Sequence, residues 1–531
     1  MTTRTHNRIA TMRPALLGLV SPARALAALM LLASLALFAG AAFKYARWGQ
    51  GFDMVDFSMP FWATMRGRFL GISRFNFTDT FLGLDLALGF LPALPFFALA
   101  PSAYTLAAVQ VLMLVSGALP VYLIARERHA SDWAGLAWAA VYLLYPTTQF
   151  VALAGPFQPR VPGLLCVLWA FYCFERQRLA PYLILLFLAM LSRSDAALIV
   201  IAFGLYALLR RRDWRWWALP ILVGGAYFYA AISYITPLFY SPSFRPERVS
   251  LPFDLSRDYN DMWPCGLSPQ ACYYLHLGGS LPEIAKNILT HPVQIFFFLF
   301  QPAKLAYLAL MFGSLLLLPL FAPRELLLAA PIFAINLLSN RVSQYIVSEQ
   351  YQILVIPGMI IAAIYGGAWL WERPVIRRWT VDGGRLAQPS TIVVDQSSLT
   401  VHRPSSTVLL LALVVLVGLW NIPLKNPVIS TFRNPETAKR VALMEQMRAM
   451  IPPDATVAAT SFLAPRLLPR DALYYIPAGK MHHQIDEAQY AFIDTRAAVL
   501  VGSGIVEGLR ADPQWRVIAE EDELILFEKI P

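Results

Sequence analysis

Two acidic residues, Asp53 and Asp56, follow the first long apolar stretch of the chain, and nothing in their own segment (51–62) neutralises them. Because they are three residues apart, a helix would place both carboxylates on one face. Such a pair can hold a divalent cation, Mg²⁺ or Mn²⁺, or accept the proton of an attacking hydroxyl group. The alternative is that the two acids only cap and solvate this segment. We therefore treat Asp53 and Asp56 as candidate catalytic residues and candidate metal ligands.

The composition is that of an integral membrane protein. Of the 531 residues, 57% are hydrophobic and 14% are charged, whereas charged residues make up about a quarter of soluble proteins. Lysine and arginine outnumber aspartate and glutamate by 43 to 33. In a membrane protein this excess collects in cytoplasmic loops and reports topology. No basic groove with interleaved aromatic residues indicates a nucleic acid partner, and no glycine-rich phosphate loop indicates nucleotide binding.

The first apolar stretch, residues 25–43, follows several arginines. The string Ala39-Gly40-Ala41 resembles a signal-peptide cleavage site. However, the stretch is longer than the signal-peptide core of about 7 to 15 residues, which favours an uncleaved first helix. Because basic residues precede it, residues 1–23 are expected in the cytoplasm and Asp53 outside.

The later apolar runs predict a polytopic α-helical protein with about eleven membrane helices, its N-terminus inside and its C-terminus outside. Lysine and arginine concentrate in the short loops that this order places in the cytoplasm. Residues 81–100 contain two prolines and Asp85, which predicts a re-entrant segment because an unpaired acid in lipid is costly. The predicted spans are 25–43, 102–124, 133–150, 161–174, 181–191, 196–209, 216–235, 305–321, 326–338, 353–371 and 407–420.

Residues 24–429 form the predicted transmembrane region. It includes a first outer loop at 45–101, a second large outer loop at 237–302, and a flexible cytoplasmic loop at 372–406 that is rich in serine, threonine and glutamine. Cys265 and Cys272 lie in the second outer loop and are disulfide candidates if that loop faces an oxidising compartment. Other thiols or histidines at zinc-ligand spacing are not found there.

From residue 430 onward the composition becomes that of a soluble protein. A helical pattern at 436–450 precedes several short runs typical of strands, which predicts a small extracytoplasmic α/β domain over 430–531. Asp494 and the pair His482 and His483 invite a catalytic interpretation, but such a set is more typical of surface chemistry. The predicted strands are 455–460, 472–476, 490–493, 498–501, 515–520 and 524–528.

Three arginines, Arg160, Arg193 and Arg341, lie on the predicted outer side, where the positive-inside rule does not favour them. Guanidinium groups bind phosphate oxygens through two parallel hydrogen bonds and stay charged near lipid. These arginines are therefore candidates for binding an anionic lipid. The alternative is structural pairing with Asp85 or Asp195. Asp195 is also expected to cap the helix that follows it.

Short strings recur along the chain in a characteristic order. They are Phe52, Asp53, Trp62 and Gly67; Pro95, Pro101, Ser102 and Thr105; Tyr145 and Pro146; Phe157 and Pro159; Asp195, Ala196, Ala197 and Leu198; Tyr351 and Pro357; and Ile451, Pro452 and Pro453. Together they resemble the bacterial membrane proteins grouped as domain of unknown function 2079. That family is placed by similarity in the GT-C clan of polytopic glycosyltransferases.

The resemblance implies a GT-C-like fold in the bacterial inner membrane. It further implies an enzyme that transfers a sugar from a polyprenyl-phosphate donor to a lipid, glycan or protein acceptor on the outer side. In such enzymes an acid of the first outer loop acts as base or metal ligand, and Asp53 matches it, whereas Asp56 has no clear counterpart. The residues expected to bind substrate are Asp85, Gln158, Arg160, Arg193, Asp195, Arg341 and Tyr351.

The sequence departs from the family pattern at polar positions. The departures are at Ser58-Met59, Gln158-Pro159-Arg160 and Arg193-Ser194-Asp195. Either the site is rewired for another donor or acceptor, or transfer activity has been lost. Two alternatives to a transferase therefore stay open: a transporter or flippase of a lipid-linked glycan, and a non-catalytic scaffold in envelope assembly. Against a transporter, the sequence has no internal repeat of the kind many transporters show.

Overall fold

The computed structural model describes residues 21–73, 77–153, 157–242, 269–373, 436–476, 484–497 and 503–530, with short pieces at 244, 253–256, 412–414, 416–417, 429, 431–432 and 500. Most of these residues are helical. In chain order the α-helices are α1 (Pro22–Ala46), α2 (Asp53–Met65), α3 (Leu94–Leu99), α4 (Ala103–Ser116), α5 (Ala118–His129), α6 (Asp132–Leu144), α7 (Pro146–Leu153), α8 (Arg160–Glu175), α9 (Leu179–Ser192), α10 (Ala196–Leu209), α11 (Trp214–Ala230), α12 (Leu281–Thr290), α13 (Pro292–Leu299), α14 (Pro302–Gly313), α15 (Pro323–Leu326), α16 (Ala330–Leu338), α17 (Ile356–Trp371), α18 (Ala438–Ala449) and α19 (Ile505–Ala511).

Among the described residues, three helical stretches are long and apolar enough to cross a membrane: Pro22–Ala46, Ala103–His129 and Trp214–Phe239. Two bent pairs, α6 with α7 and α13 with α14, turn by 52° and 62° and would each serve as a broken span. Shorter apolar helices, including α9, α10 and α17, pack between them. This set supports a multi-pass membrane protein without confirming a count of eleven spans, and most of the predicted span 407–420 lies outside the described residues.

Local sequence signals explain where several helices begin and bend. The hydroxyl groups of Ser102, Ser131 and Thr437 accept hydrogen bonds from the first main-chain N–H groups of α4, α6 and α18, as helix N-caps do. The bend between α6 and α7 lies at Pro146, and a proline disfavours helical conformation in the residue before it.

The predicted re-entrant segment contains only short helical pieces. Residues Phe81–Gly83 and Leu88–Ala93 are 3₁₀-helices, and α3 adds six residues. Gly89 explains how closely this segment packs, because a Cβ there would lie 1.9 Å from the carbonyl oxygen of Pro159 and 2.8 Å from that of Ser192. The segment therefore touches the backbone at the start of α8 and at the end of α9.

The described residues of the predicted second outer loop (237–302) include two α-helices. The last part of this loop forms α12 and α13, and α13 exposes Phe296 and Phe297. Exposed aromatic rings at this place agree with a segment that dips into the membrane interface. Cys272 is buried and disulfide-bonded, and Cys166 and Cys173 are free thiols. The predicted partner, Cys265, lies outside the described residues.

The C-terminal region is a small α/β domain. Its strands are β1 (Val457–Ala459), β2 (Leu473–Tyr475), β3 (Tyr490–Asp494), β4 (Trp515–Glu521) and β5 (Leu524–Lys529). They form one sheet in the order β2-β1-β3-β5-β4, in which β1 pairs in parallel with β2 and β3, and β5 runs antiparallel to β3 and β4. Five of the six predicted strands are present, the sixth (498–501) lies mostly outside the described residues, and α19 was not predicted.

The helix α2 lies between the membrane region and this domain. On one side, Val55 and Met59 join the core of the C-terminal domain with Phe52. On another, Phe57 and Phe61 join the aromatic cluster of the re-entrant segment. Residues four apart share a helix face, so each pair contributes one buried stripe. Helix α2 is thereby held from two sides.

Candidate functional site

Asp53 lies in the first turn of α2, and its side chain is exposed. Asp56, one turn further on, is only 9% exposed. The segment is helical, as the spacing of the two acids suggested, but the two carboxylates differ in environment. Of the two, Asp53 is the one available to a substrate.

The chain before Asp53 is anchored in the C-terminal domain. The main-chain N–H of Phe52 donates a hydrogen bond of 3.0 Å to Oγ of Ser461. The Phe52 ring lies 4.7 Å from the ring of Tyr475, and the buried Trp48 ring lies 6.4 Å from Phe492. No pattern in the sequence indicated that residues some 400 positions away fix the start of α2.

A loop between α16 and α17 brings further charged residues to Asp53. Burial raises the pKa of Glu349 above its ordinary value, and the negative charge of Asp53 raises it further, whereas Arg341 and Lys44 oppose the shift. Arg341 feels the charges of both acids. Its Nη1 donates a hydrogen bond to the hydroxyl of Tyr273, and its guanidinium lies 4.5 Å above that ring. We call the cluster of Asp53, Glu349, Arg341 and Lys44 the outer mouth, after the predicted topology. It combines two carboxylates with two cations.

Glu349 and Lys44 were not among the predicted site residues. Lys44 lies in the last turn of α1, where a basic residue is ordinary, and its Nζ donates a 3.3 Å hydrogen bond to the carbonyl oxygen of Leu153. Glu349 is an acid in a stretch between two apolar helices. That isolation was the one signal in the sequence that pointed to it.

The helix that leads into the Arg341 loop is capped by three side chains. Carbonyl oxygens in the last turn of α16 accept hydrogen bonds from the hydroxyl of Tyr274 at 3.0 Å and from Nζ of Lys304 at 2.6 Å. Another lies 2.9 Å from Nε2 of His276. Positive groups at a helix C-terminus satisfy its free carbonyls and its dipole. This capping fixes the point at which the loop begins.

Gln352 fixes the other end of the loop. Its Oε1 accepts hydrogen bonds from Tyr307 at 2.5 Å and from Asn336 at 3.1 Å. Its Nε2 donates to the carbonyl oxygens of Gln344 at 2.8 Å and Ile346 at 3.3 Å. All four hydrogen-bonding positions of this buried amide are used. Gln352 therefore holds the middle of the loop that carries Arg341 and Glu349, and the hydroxyl of Tyr274 supports it with a 3.0 Å hydrogen bond to Oε1 of Gln344.

Two buried ion pairs lie around the start of α8 and the end of α9. Nε of Arg193 donates a 2.5 Å hydrogen bond to Asp85, which also accepts one from the hydroxyl of Ser194. Nε of Arg160 donates a 2.8 Å hydrogen bond to Asp195. The side chains of both arginines are 4% exposed. The structural pairing considered for these arginines is what the structure contains.

Asp195 occupies the N-cap position of α10, but its side chain makes no capping hydrogen bond. The expected capping role is therefore wrong for the side chain. Its carboxylate is directed to Arg160 instead, because an ion pair with a buried guanidinium satisfies a charge that would otherwise be costly.

Tyr351 connects the ion pairs with the outer mouth. The guanidinium of Arg160 lies 5.5 Å above its ring, and Tyr351 is also an electrostatic neighbour of Arg193 and Arg341. Gln158 is buried near the start of α8, and its main-chain N–H donates a 2.6 Å hydrogen bond to Oε1 of Gln110. The predicted substrate-binding residues therefore form one connected region that reaches Asp53.

The divalent-cation site is less well supported. Within the described part of the chain, no group of three or more histidine, cysteine, aspartate or glutamate side chains is placed to hold a metal ion. Asp56 is buried while Asp53 is exposed, so the two do not form an open pair of ligands. A cation at these acids stays a prediction.

Asp494 is paired with two arginines of the C-terminal domain. It is bound by Arg496, with Nε at 3.1 Å and Nη2 at 2.9 Å from its carboxylate oxygens, and by Nη2 of the buried Arg440 at 3.1 Å. His482 and His483 lie outside the described residues. Asp494 thus serves an ion-pair network inside the C-terminal domain.

A comparison with known protein families identifies the family of this chain. A family model described as "Predicted membrane protein (DUF2079)" matches residues 49–526, from just before Asp53 to the last strand. The chain belongs to this family. The resemblance stated from the sequence is confirmed, and so is a membrane protein with this family's organisation. No curated protein matches the sequence.

Two solved structures of ArnT from Cupriavidus metallidurans are similar to this family member. The apo structure is 14% identical with a TM-score of 0.50, and the match covers 96% of this chain and 98% of that chain. The structure bound to undecaprenyl phosphate is 14% identical with a TM-score of 0.49, covering 94% and 97%. At this identity the likeness to the apo structure shows the fold alone, which is GT-C-like.

Proposed function

We propose that this protein is a GT-C-type glycosyltransferase. It transfers a sugar from a polyprenyl-phosphate donor to a lipid, glycan or protein acceptor at the outer face of the bacterial inner membrane. The observation that carries the proposal is the exposed carboxylate of Asp53 at the start of the first outer helix, within electrostatic reach of Arg341. Sugar transfer from a lipid phosphate needs a base for the acceptor hydroxyl group and a cation for the departing phosphate. The two must lie at separate places.

The reaction follows from those two groups. The acceptor hydroxyl oxygen attacks the anomeric carbon of the donor sugar, and Asp53 accepts the hydroxyl proton as that bond forms. The bond between the anomeric carbon and the phosphate oxygen breaks, and its electron pair stays with the polyprenyl phosphate. Arg341 stabilises the negative charge that develops there. The products are the glycosylated acceptor and the free polyprenyl phosphate.

The surroundings of Asp53 support a functional role. The negative charges of Asp53 and Glu349 are held close enough to raise the pKa of Glu349, although like charges repel and cost stability. Crowded acids of this kind cluster at functional sites more than elsewhere. The membrane-embedded fold also suits a donor that is itself a lipid.

The test uses the full-length protein in liposomes with polyprenyl-phosphate-linked sugars and an extract of envelope acceptors. Asp53→Asn is expected to reduce transfer by at least about 10²-fold, the contribution of a general base, while the protein still inserts. Asp454→Asn, at an exposed acid of the C-terminal domain, is the matched control and should transfer normally. Full activity of the Asp53→Asn protein would disprove the proposal, and movement of the lipid between leaflets without transfer would favour a flippase.

The donor and acceptor can be found in cells. Mass spectrometry of glycans and lipids from cells lacking the protein should show one glycan or lipid that has lost a sugar. The corresponding polyprenyl-phosphate-linked sugar should accumulate. Unchanged glycans and lipids, with a changed envelope composition, would favour the scaffold.

A further inference from the structure

Four buried polar atoms around the two ion pairs lack a hydrogen-bond partner among the described residues. They are Nη1 of Arg160, Nη1 of Arg193, Oε1 of Gln158 and Oδ1 of Asp195. All four belong to residues at the start of α8 or between α9 and α10. A buried polar atom without a partner costs about 1–3 kcal/mol, so a group of four in one region points to a bound molecule that supplies the partners.

The backbone explains why the residues that carry these atoms lie in one region. Gly89 approaches the carbonyl oxygens of Pro159 and Ser192 so closely that a Cβ would not fit. Pro159 lies between Gln158 and Arg160, and Ser192 directly precedes Arg193. The re-entrant segment thus draws the two helix ends against each other, and Arg193 and Asp195 interact electrostatically.

The charges of this region cancel. Arg193 is paired with Asp85, and Arg160 is paired with Asp195. A phosphate would add unbalanced negative charge to a buried, neutral group, which is unfavourable. The free atoms are two N–H donors and two oxygen acceptors. Hydroxyl groups, each of which donates and accepts a hydrogen bond, match that mixture.

We propose that Gln158, Arg160, Arg193 and Asp195 form a subsite for the hydroxyl groups of the donor sugar. The lipid phosphate stays at the outer mouth with Arg341, and Tyr351 lies between the two places. This assignment rests on the proposed glycosyltransferase function and divides its donor site into a neutral part for the sugar and a cationic part for the phosphate. It also assigns a role to positions where the sequence departs from the family pattern.

The division can be tested by comparing the affinities of the protein for sugar-free and glycosylated lipids. Native mass spectrometry of the full-length protein gives its affinity for undecaprenyl phosphate, undecaprenyl-phosphate-glucose and undecaprenyl-phosphate-mannose. The unmodified protein should bind at least one glycosylated lipid more tightly than the sugar-free lipid. Gln158→Met keeps the side-chain volume and the main-chain hydrogen bond to Gln110 but removes the amide. It should weaken binding of that glycosylated lipid about tenfold, the effect of one lost hydrogen bond, and leave the sugar-free lipid within about twofold.

Arg341→Gln is the matched variant in the cationic part of the donor site. It should weaken binding of the glycosylated and the sugar-free lipid alike. If the Gln158→Met protein does not insert, Gln158→Asn, which withdraws the amide by one methylene, should give the same selective loss. Equal weakening of both lipids by either Gln158 variant, or no weakening, would overturn the subsite, as would an unmodified protein that does not distinguish the lipids. These results differ from failure of the proposed function, in which the glycosylated lipid binds tightly and Asp53→Asn leaves transfer intact.

Discussion

The main-chain N–H of Phe52 donates a hydrogen bond of 3.0 Å to Oγ of Ser461, which joins the residue before Asp53 to the C-terminal domain. Apolar packing strengthens this attachment, because Phe52, Val55 and Met59 lie in one core with residues of the sheet such as Leu526. The C-terminal domain therefore determines where the proposed base stands. The contacts of this domain hold the start of α2.

Ser461→Ala should lower kcat for sugar transfer about tenfold and leave KM for the donor nearly unchanged. The substitution removes the acceptor for the Phe52 N–H, and small displacements of a base reduce the rate more than they reduce binding. Steady-state kinetics of the purified protein in liposomes measures both constants. Ser461→Thr keeps the hydroxyl group and should restore kcat.

A matched control separates positioning from stability. Ser503→Ala removes the same atom in the same domain, where the hydroxyl accepts a 3.3 Å hydrogen bond from Ile505 at the start of α19. It should lower the thermal midpoint slightly, as loss of one hydrogen bond does, and keep kcat. Equal losses of kcat in the two alanine variants, or no recovery with threonine, would rule out a positioning role for Ser461.

Patterns within a single element were predictable from the sequence. Helix α10 has the bounds expected from its apolar run, since a continuous apolar stretch bounded by charged residues leaves little choice. Most strands of the C-terminal domain were found because short β-branched and aromatic runs between turns are typical of strands. Asp53 was singled out because an acid soon after a first membrane helix is unusual, and its catalytic role stays a prediction.

Relationships between distant elements were not predictable in the same way. For Arg193 the sequence left phosphate binding and pairing with Asp85 or Asp195 open, and it did not show that the partner is Asp85, 108 residues earlier in the chain. Glu349 gains its connection to Asp53 only through a loop fixed by Gln352 and by the capped end of α16. No local pattern encodes such contacts, because they depend on how separate helices pack.

Gln352→Met should destabilise the protein and loosen the Arg341 loop. The substitution leaves the buried hydroxyl of Tyr307 and the amide of Asn336 without their acceptor, and each buried unpaired group costs about 1–3 kcal/mol. We expect a lower thermal midpoint and a weaker affinity for sugar-free undecaprenyl phosphate. Gln350→Met, two residues earlier, is the control, since Oε1 of Gln350 has no partner among the described residues. If both variants behave alike, Gln352 does not hold the loop.

Asp494 should stabilise the folded protein at neutral pH, and this contribution should be lost in acid. Burial alone would raise its pKa, but hydrogen bonds from Arg496 and the charges of Arg496 and Arg440 lower the pKa below its ordinary value. A lowered pKa in the folded state stabilises above the unfolded pKa of about 3.9, and this contribution is lost as the pH falls through the folded pKa. Asp494→Asn should therefore lower the thermal midpoint at pH 7, and the difference from the unmodified protein should shrink below about pH 4. A difference that persists unchanged at pH 3 would show that another effect dominates.

Glu349 should have the opposite effect on stability. Burial and the charge of Asp53 raise its pKa in the folded protein. Folding then costs free energy once Glu349 is ionised: the cost is absent below the unfolded pKa of about 4.3 and fully present above the folded pKa. Glu349→Gln should therefore raise the thermal midpoint at pH 8 and have little effect at pH 4, as measured by tryptophan fluorescence in detergent. In the Asp53→Asn background the gain at pH 8 should be smaller, because the repelling charge is already gone. A Glu349→Gln protein that is less stable at pH 8 would show that the attraction of Arg341 and Lys44 outweighs burial and the repulsion of Asp53.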